Sequence, residues 1–262
     1  MSHTFPKVQL TIEAGVATLC LDDPPVMNAI GATMTKSLKA AVAAIEHSSA
    51  RALILSGTGR AFSTGANLAD SGGGDGPPSI RDTLEMGYHP FLRSLRNLQI
   101  PLIVAVNGAA AGVGMSVALM GDMVLAARSA YFLQAFVRLG LIPDGGSTWL
   151  LPRLIGMARA RELAVLGEKL SAEKALEWGL INRVCDDTAL MGEAQALARR
   201  LADGPTRAYA LMRRAWWASF DNSYESQLDL EAELQTQASR TEDFREGVTA
   251  FLKKQPAKFT GK

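Results

Sequence analysis

The longest apolar stretch of the chain, residues 101–127 (PLIVAVNGAAAGVGMSVALMGDMVLAA), most narrows what it can fold into. Its length is that of a membrane-spanning helix. Asn107-Gly108 is a turn signal, however, and Gly112, Gly114, Gly121 and Asp122 punctuate the remainder of the stretch. The stretch therefore reads as a buried strand (LIVAVN), a turn, a small-residue helix and a second strand (DMVLAAR).

Neighbouring segments extend this alternation. VQLTIEAGVATLCLD reads as two short strands around the turn Ala14-Gly15, and RALILSG as a compact buried strand. TMTKSLKAAVAAIEH carries Met34, Leu38, Ala41, Val42 and Ile45 on one helical face. Segment 71–78 (SGGGDGPP) is of low complexity and predicts a surface loop; Ser79 then opens a helix, with Asp82 in a capping-box arrangement. Strands alternating with helices imply an α/β core whose parallel strands are joined by helical crossovers. Past Thr188 the strand signals stop and four helical segments come after, broken at Gly204-Pro205. The expected division is a core over 1–190 and a helical region over 191–262. Trp216 and Trp217 are adjacent and cannot share a helix face, so they are read either as core residues or with one of them facing a partner subunit.

With 262 residues, 48% of them hydrophobic, the chain is long enough for one large core. A formal net charge of +1 gives no reason to expect nucleic acid or an acidic membrane as partner. Cys20 and Cys185 make no disulfide framework, and the first fifteen residues (MSHTFPKVQLTIEAG) hold no apolar core of signal-peptide length; both favour the cytoplasm. His3, His47 and His89 are scattered, with no HExxH or CxxC, so no catalytic metal is expected. His47 ends a solvated helix, and His89 sits on the helix after the low-complexity segment, where it either lines a pocket or packs.

Two segments are built to present backbone N–H groups: GRAFSTGANLAD, a strand exit with a Gly-Ala turn, and NGAAAGVGMSVALMGD, small residues leading into a helix. Amides of a first helical turn lack internal acceptors, and two such turns can hold an oxyanion. The competing reading is that the glycines only permit tight packing. GAAAGVG lacks the spacing of a dinucleotide loop, and FSTGA is no nucleophile elbow. In VRLGLIPDGGSTWLLPR, one carboxylate, Asp144, stands among apolar residues before a helix. It is either a helix cap or a proton-transfer base in a dry pocket.

The segments GRAFSTGANLAD, PLIVAVNGAAAGVGMSVALMGDMVLAARSAYF and LGLIPDGGSTWLLPRLIG together resemble the signature regions of the crotonase (enoyl-CoA hydratase/isomerase) superfamily, as do LSAEKALEWGLINRVCDD and the ending EGVTAFLKKQPAKFTGK. YHPFLRSLRNL, RLGLIPDGGSTWLLPR and QLDLEAE are most similar to its phenylacetate-pathway isomerase group. The resemblance implies an α/β fold of the crotonase type, a superhelical spiral of ββα turns with a C-terminal helical region used for trimerisation, trimers often pairing into hexamers. It implies an acyl-CoA thioester as substrate, with no cofactor beyond the coenzyme A that the substrate carries. The thioester oxygen would be held by the amides of Ala66 and Val113, each preceded by a contact glycine, Gly65 or Gly112. Val26, Met27, Thr64, Asn67 and Leu68 are the implied coenzyme A contacts. Phe251 and Lys254, of this subunit or a neighbour, would close the site.

The family's hydratases carry two glutamates, which position and exchange protons with a water. The corresponding places here hold Ser116 and Phe136, so hydration by that pair is not expected. Asp144 stands where isomerising relatives, and an aryl-CoA dehalogenase branch with a histidine near His89, carry a working aspartate. The resemblance thus implies an isomerase that shifts a double bond from β,γ to α,β or rearranges a ring epoxide, with Asp144 as single base and Phe136 and Leu141 keeping the site dry. Hydration by another route, dehalogenation, and non-catalytic acyl-CoA or RNA binding are the alternatives.

Overall fold

The computed structural model describes residues 2–70 and 79–262. The expected surface loop at 71–78 lies outside the described residues. The chain opens with β1 (Ser2–Phe5), β2 (Val8–Glu13) and β3 (Val16–Leu21), followed by α1 (Ala32–Glu46). β2 and β3 pair antiparallel through Ala14 (φ 48°) and Gly15 (φ 78°), two left-handed residues whose twist suits a tight hairpin. All five predicted apolar residues of α1 are buried. His47 caps the C-terminal end of that helix, with Nδ1 2.8 Å from the Ala43 carbonyl.

Three similar turns come next, each a strand, a sharp corner, a three-residue strand and a helical segment. The first holds β4 (Ala52–Gly57), β5 (Ala61–Ser63), α2 (Ile80–Asp82), a π-helical turn (Thr83–Tyr88) and α3 (His89–Asn97). The second holds β6 (Leu102–Val106), β7 (Ala109–Ala111) and α4 (Val113–Ala118). The third holds β8 (Met123–Ala127), β9 (Tyr131–Leu133), a 3-10 turn (Ala135–Leu139) and α5 (Ser147–Leu166). The chain closes with β10 (Lys169–Ser171), α6 (Ala172–Glu177), β11 (Arg183–Cys185), α7 (Leu190–Ala202), α8 (Thr206–Ser219), α9 (Tyr224–Ser239) and α10 (Glu242–Leu252).

Among the described residues one sheet runs β1-β2-β3-β4-β6-β8-β11, parallel from β3 onward, and a second runs β10-β9-β7-β5, parallel from β9 to β5. Strand β6, interior to the large sheet, is buried along its whole length, whereas β2 alternates buried and exposed residues. This is the expected contrast between a covered parallel strand and a half-solvated antiparallel one. The apolar stretch 101–127 is thus strand, strand, helix and strand. Among the described residues no helix is long and apolar enough to cross a membrane.

Glycines fix the corners. A β-carbon on Gly108 would lie 2.2 Å from the Arg60 carbonyl oxygen, so the second corner nests against the first only with glycine there. Asn107 joins the two corners, donating from Nδ2 to the Gly59 and Ala61 carbonyls (3.0 and 3.2 Å) and accepting from Gly57 N–H at 3.2 Å.

Two expectations are corrected. The capping box at Ser79 does not form: Ser79 is the N-cap of α2, but its side chain bonds no amide. The helix widens into the π turn after three residues, and Thr83 N–H bonds instead to the Ser79 carbonyl (3.0 Å). The carboxylate of Asp144 does not cap α5 either: the N-cap is Gly146 (φ 85°), and the Ser147 N–H is taken by the Asp144 main-chain carbonyl at 3.1 Å.

Of the C-terminal helices, α7 lies across the large sheet, with Leu190, Ala194, Leu197, Ala198 and Ala202 buried. α8 is clamped by Arg213, 3% exposed, which donates to the Leu98 and Leu95 carbonyls (3.2 and 2.8 Å) and pairs with Asp122. Asp122 also accepts the Leu102 N–H at 2.7 Å; burial raises its carboxyl pKa, an effect Arg213 partly offsets. Trp217 turns inward onto Trp149 of α5, rings 5.6 Å apart and nearly parallel, while Trp216 is 61% exposed. Removing one member of a buried ion pair leaves the other uncompensated. Arg213→Met is therefore expected to cost about 3–5 kcal/mol in urea unfolding, and adding Asp122→Asn to recover part of it.

Candidate active site

Parallel pairing sets three strand ends side by side. β5, β7 and β9 finish at Ser63, Ala111 and Leu133, so the segments after them, 64–68, 112–113 and 134–136, emerge at the same edge of the small sheet. In open α/β sheets that edge is where ligands bind.

The first two segments touch through glycine. Gly65 (φ 97°) and Gly112 (φ 52°) face each other: a β-carbon on Gly65 would lie 2.9 Å from the Ala111 carbonyl oxygen, and one on Gly112 would lie 3.8 Å from Gly65 Cα. The residues after them, Ala66 and Val113, carry the two predicted amides. Ile30 pairs with the first segment as in a parallel sheet, its N–H donating to the Gly65 carbonyl (2.7 Å) and its carbonyl accepting Asn67 N–H (3.1 Å). In that pattern Ala66 N–H points away from Ile30. Val113 is the first residue of α4, where an N–H has no intrahelical acceptor. Among the described residues neither amide has a protein acceptor.

This turn rests on residues that motif spacing does not single out. Asn28, fully buried at φ 55°, accepts Asp23 N–H at 2.8 Å and donates to the Thr58 and Ala61 carbonyls at 2.9 and 2.8 Å. Ser63 Oγ donates to the Asn28 carbonyl (2.8 Å) and accepts Gly65 N–H (3.2 Å). A β-carbon on Gly114 would come within 2.7 Å of the Ser63 side chain, so α4 seats directly on that serine.

The predicted coenzyme A contacts gather on one rim. Val26 and Met27 lead into Asn28, and Thr64 N–H donates to the Met27 carbonyl (3.1 Å), with Asn67 and Leu68 continuing along the edge. Val26 and Leu68 are exposed, as a binding rim requires. A cavity of about 360 Å³ opens beside Asn67, lined also by Ile30, Lys36, Met86 and Tyr88.

Asp144 enters from the third turn. Gly145 (φ 60°) comes directly after it, and a β-carbon there would lie 2.7 Å from Ser116 Cβ and 3.3 Å from a Val113 methyl. Glycine thus lets the Asp144 loop lie against the same α4 turn that presents Val113. The Asp144 carbonyl is fixed by Ser147 N–H (3.1 Å) and Ser116 Oγ (3.0 Å), but its carboxylate Oδ1 is buried with no hydrogen-bond partner among the described residues. Burial raises its pKa from the ordinary carboxylate value to about 6. Near neutral pH such a group is ionised yet basic enough to take a proton.

Ser116 and Phe136, the two places at which the resemblance expects a hydratase's glutamates, are both buried and hold no charge. Phe136 Cζ would lie 3.9 Å from a β-carbon on Gly112, and Leu141 closes the 3-10 turn with N–H to the Phe136 carbonyl (3.0 Å). Phe136 thus packs against the amide turn, whereas Leu141 is 42% exposed. His89 lines a second cavity, about 350 Å³, with Leu92, Met120, Gly145, Gly146 and Trp149. Phe251 and Lys254 lie apart: Phe251 lines a groove between α8, α9 and α10, and Lys254 (φ 53°) comes after it on the exposed C-terminal side. Among the described residues there is no cluster of potential metal ligands.

The family model described as "Enoyl-CoA hydratase/isomerase" matches residues 11–262. The chain is 47% identical to the 1,2-epoxyphenylacetyl-CoA isomerase of Escherichia coli K12 over 254 residues, 96% of this chain and 97% of that one. It is 44% identical to a probable enoyl-CoA hydratase of Rhodobacter capsulatus over 259 residues, 99% of this chain and all of the other. The crystal structure of an enoyl-CoA hydratase subunit I from Geobacillus kaustophilus superposes with a TM-score of 0.91 at 34% identity, covering 98% of this chain and 99% of its own. Sequence, fold and the amide-lined strand edge agree: the chain belongs to the enoyl-CoA hydratase/isomerase family.

Proposed function

We propose that this enzyme is an acyl-CoA isomerase with a single base. The observation that carries the reading is Asp144: a half-buried carboxylate whose Oδ1 is buried without a partner among the described residues and whose pKa is raised to about 6, on a loop held against the turn that presents Val113 N–H. The thioester oxygen would accept hydrogen bonds from Ala66 and Val113, which stabilise the enolate formed when Asp144 removes a proton next to the acyl carbonyl or at the vinylogous carbon. Returning the proton to another carbon moves the double bond from β,γ to α,β. On a ring-epoxide thioester the same pair, base and oxyanion donors, would assist opening and rearrangement of the strained ring. The E. coli relative's name supports this second substrate class.

The R. capsulatus relative's name favours hydration. Hydration wants two carboxylates on one water, and at the two glutamate places this site offers a serine and a phenylalanine. Isomerisation needs one. Val26, Met27, Thr64, Asn67 and Leu68 would carry the coenzyme A, which belongs to the substrate, so no separate cofactor is needed. Exposed apolar residues of the helical region, Phe244, Val248 and Phe251 among them, suit assembly of a cytoplasmic trimer or hexamer in which Phe251 and Lys254 reach a site from a neighbouring subunit.

A panel of 3-enoyl-, 2-enoyl- and aryl-epoxide CoA thioesters with product analysis tests the assignment. Isomerisation of the first or rearrangement of the third is expected, and fast hydration of the 2-enoyl thioester alone would overturn it. In the active assay Asp144→Asn should lower kcat by about 10²–10⁴-fold, the usual worth of a general base.

The pH dependence has a definite sign. The ionised form is the base, so kcat/KM should rise with pH through a midpoint near 6. Because the folded pKa lies above the unfolded one, ionising Asp144 costs stability as pH climbs from about 4 to about 6. Asp144→Asn should therefore be more stable than the parent at pH 8, by about 1–3 kcal/mol, with the gap closing below pH 4 in thermal unfolding.

Val113 occupies the first helical position, where proline fits and costs no helical bond. Val113→Pro should keep the far-ultraviolet circular dichroism spectrum while losing about 10²–10³-fold in kcat, the usual effect of removing one oxyanion donor.

A further inference from the structure

Behind Asp144 lies a polar chain that the single-base reading does not use. Ser116, Gln134 and Ser147 are each fully buried and come from three elements: the middle of α4, the residue after β9 and the first residue of α5. Gln134 Nε2 donates to Ser147 Oγ at 3.1 Å, with Met115 Sδ as its other acceptor at 3.3 Å. Ser147 Oγ and Ser116 Oγ are 2.7 Å apart, and Ser116 Oγ is 3.0 Å from the Asp144 carbonyl oxygen.

The amide sets a direction. With an N–H of Gln134 pointed at it, Ser147 turns its own hydrogen to Ser116, and Ser116 is left to donate onward. Its nearer acceptor is the Asp144 carbonyl; the Gly112 carbonyl, just before Val113, lies farther off at 3.4 Å. One hydroxyl therefore spans the loop that carries the base and the turn that carries an oxyanion amide. Gly145 is the space this contact needs, since a β-carbon there would lie 2.9 Å from Ser116 Oγ.

We propose that Ser116 is a positioning residue for the reaction, oriented through Ser147 by Gln134, which fixes the Asp144 main chain so that its carboxylate stays aimed at the substrate carbon beside Val113. This rests on the single-base reading of Asp144. The place that hydratases give to a glutamate is thereby put to another use: its hydroxyl exchanges no proton with substrate and sets the position of the base on the next turn.

The test compares Ser116→Ala, Ser147→Ala, their double variant and Asp144→Asn in the isomerase assay over pH 4.5–9, with a carbon-13 NMR titration of aspartate-labelled protein. Displacing a reacting group by about 1 Å costs up to roughly 10²-fold. Ser116→Ala is expected to lose about 10- to 100-fold in kcat with KM within about twofold. Breaking the chain at a second link should add little, so the double variant should match Ser116→Ala within a factor of about three. With the loop released toward water, the Asp144 titration midpoint should fall by half a pH unit or more, in both the kinetic profile and the NMR signal that Asp144→Asn removes. Parent-like kcat and midpoint in Ser116→Ala would overturn the proposal, as would a loss confined to KM or multiplicative losses in the double variant. If Asp144→Asn itself keeps full activity, the single-base reading fails; if it is inactive while Ser116→Ala is normal, only the positioning role fails.

Discussion

Everything at this site depends on backbone approaching backbone more closely than side chains allow. Gly65 meets Ala111 and Gly112, Gly114 meets Ser63, and Gly145 meets Ser116, each at a distance no β-carbon tolerates or with only van der Waals room to spare. These contacts bring the ends of successive turns of the spiral together. The stacked corners at Asn107-Gly108 and Gly57 do the same at the opposite end of the short strands. The proposed chemistry then requires only that two N–H groups and one carboxylate be carried on segments already pressed against one another.

Asp144 has the opposite energetic character. Its buried oxygen has no partner among the described residues, and desolvation alone raises its pKa. The fold bears this cost because the main chain around the residue is held firmly: its carbonyl takes two hydrogen bonds, and the helix after it is anchored by Trp149 stacked on Trp217 and edged by Phe220 at 4.8 Å. Local instability at one carboxylate is thus balanced by order in its surroundings, a pattern common where function and stability compete.

The long elements are legible in the sequence because their periodicity is strong. The buried face of α1, the hairpin at Ala14-Gly15, the apolar runs of β4, β6 and β8 and the helix after Asp144 all arise from apolar spacing and turn residues. The strands β5, β7, β9 and β10 do not announce a second sheet, because three residues carry no period and β7 is simply Ala-Ala-Ala. β1 is illegible for a related reason, being short and largely exposed. At the site, Asp144 stands out as a charge among apolar neighbours, and the amides at Ala66 and Val113 come through family resemblance. Asn28, Ser63, Gln134 and Ser147 stay hidden: a lone serine or amide in sequence looks the same whether it faces water or braces a turn.

The two predicted oxyanion donors belong to the main chain, so the hydrogen bonds they offer do not depend on which side chain stands at 66 or 113. The residues that would choose a reaction on this reading, Ser116, Phe136 and Asp144, sit on α4 itself, on the 3-10 turn and on the loop before α5. The scaffold therefore works as a reusable socket. On the proposed reading, a substitution at one of those three positions changes the chemistry offered to the substrate and leaves the paired glycine turns in place.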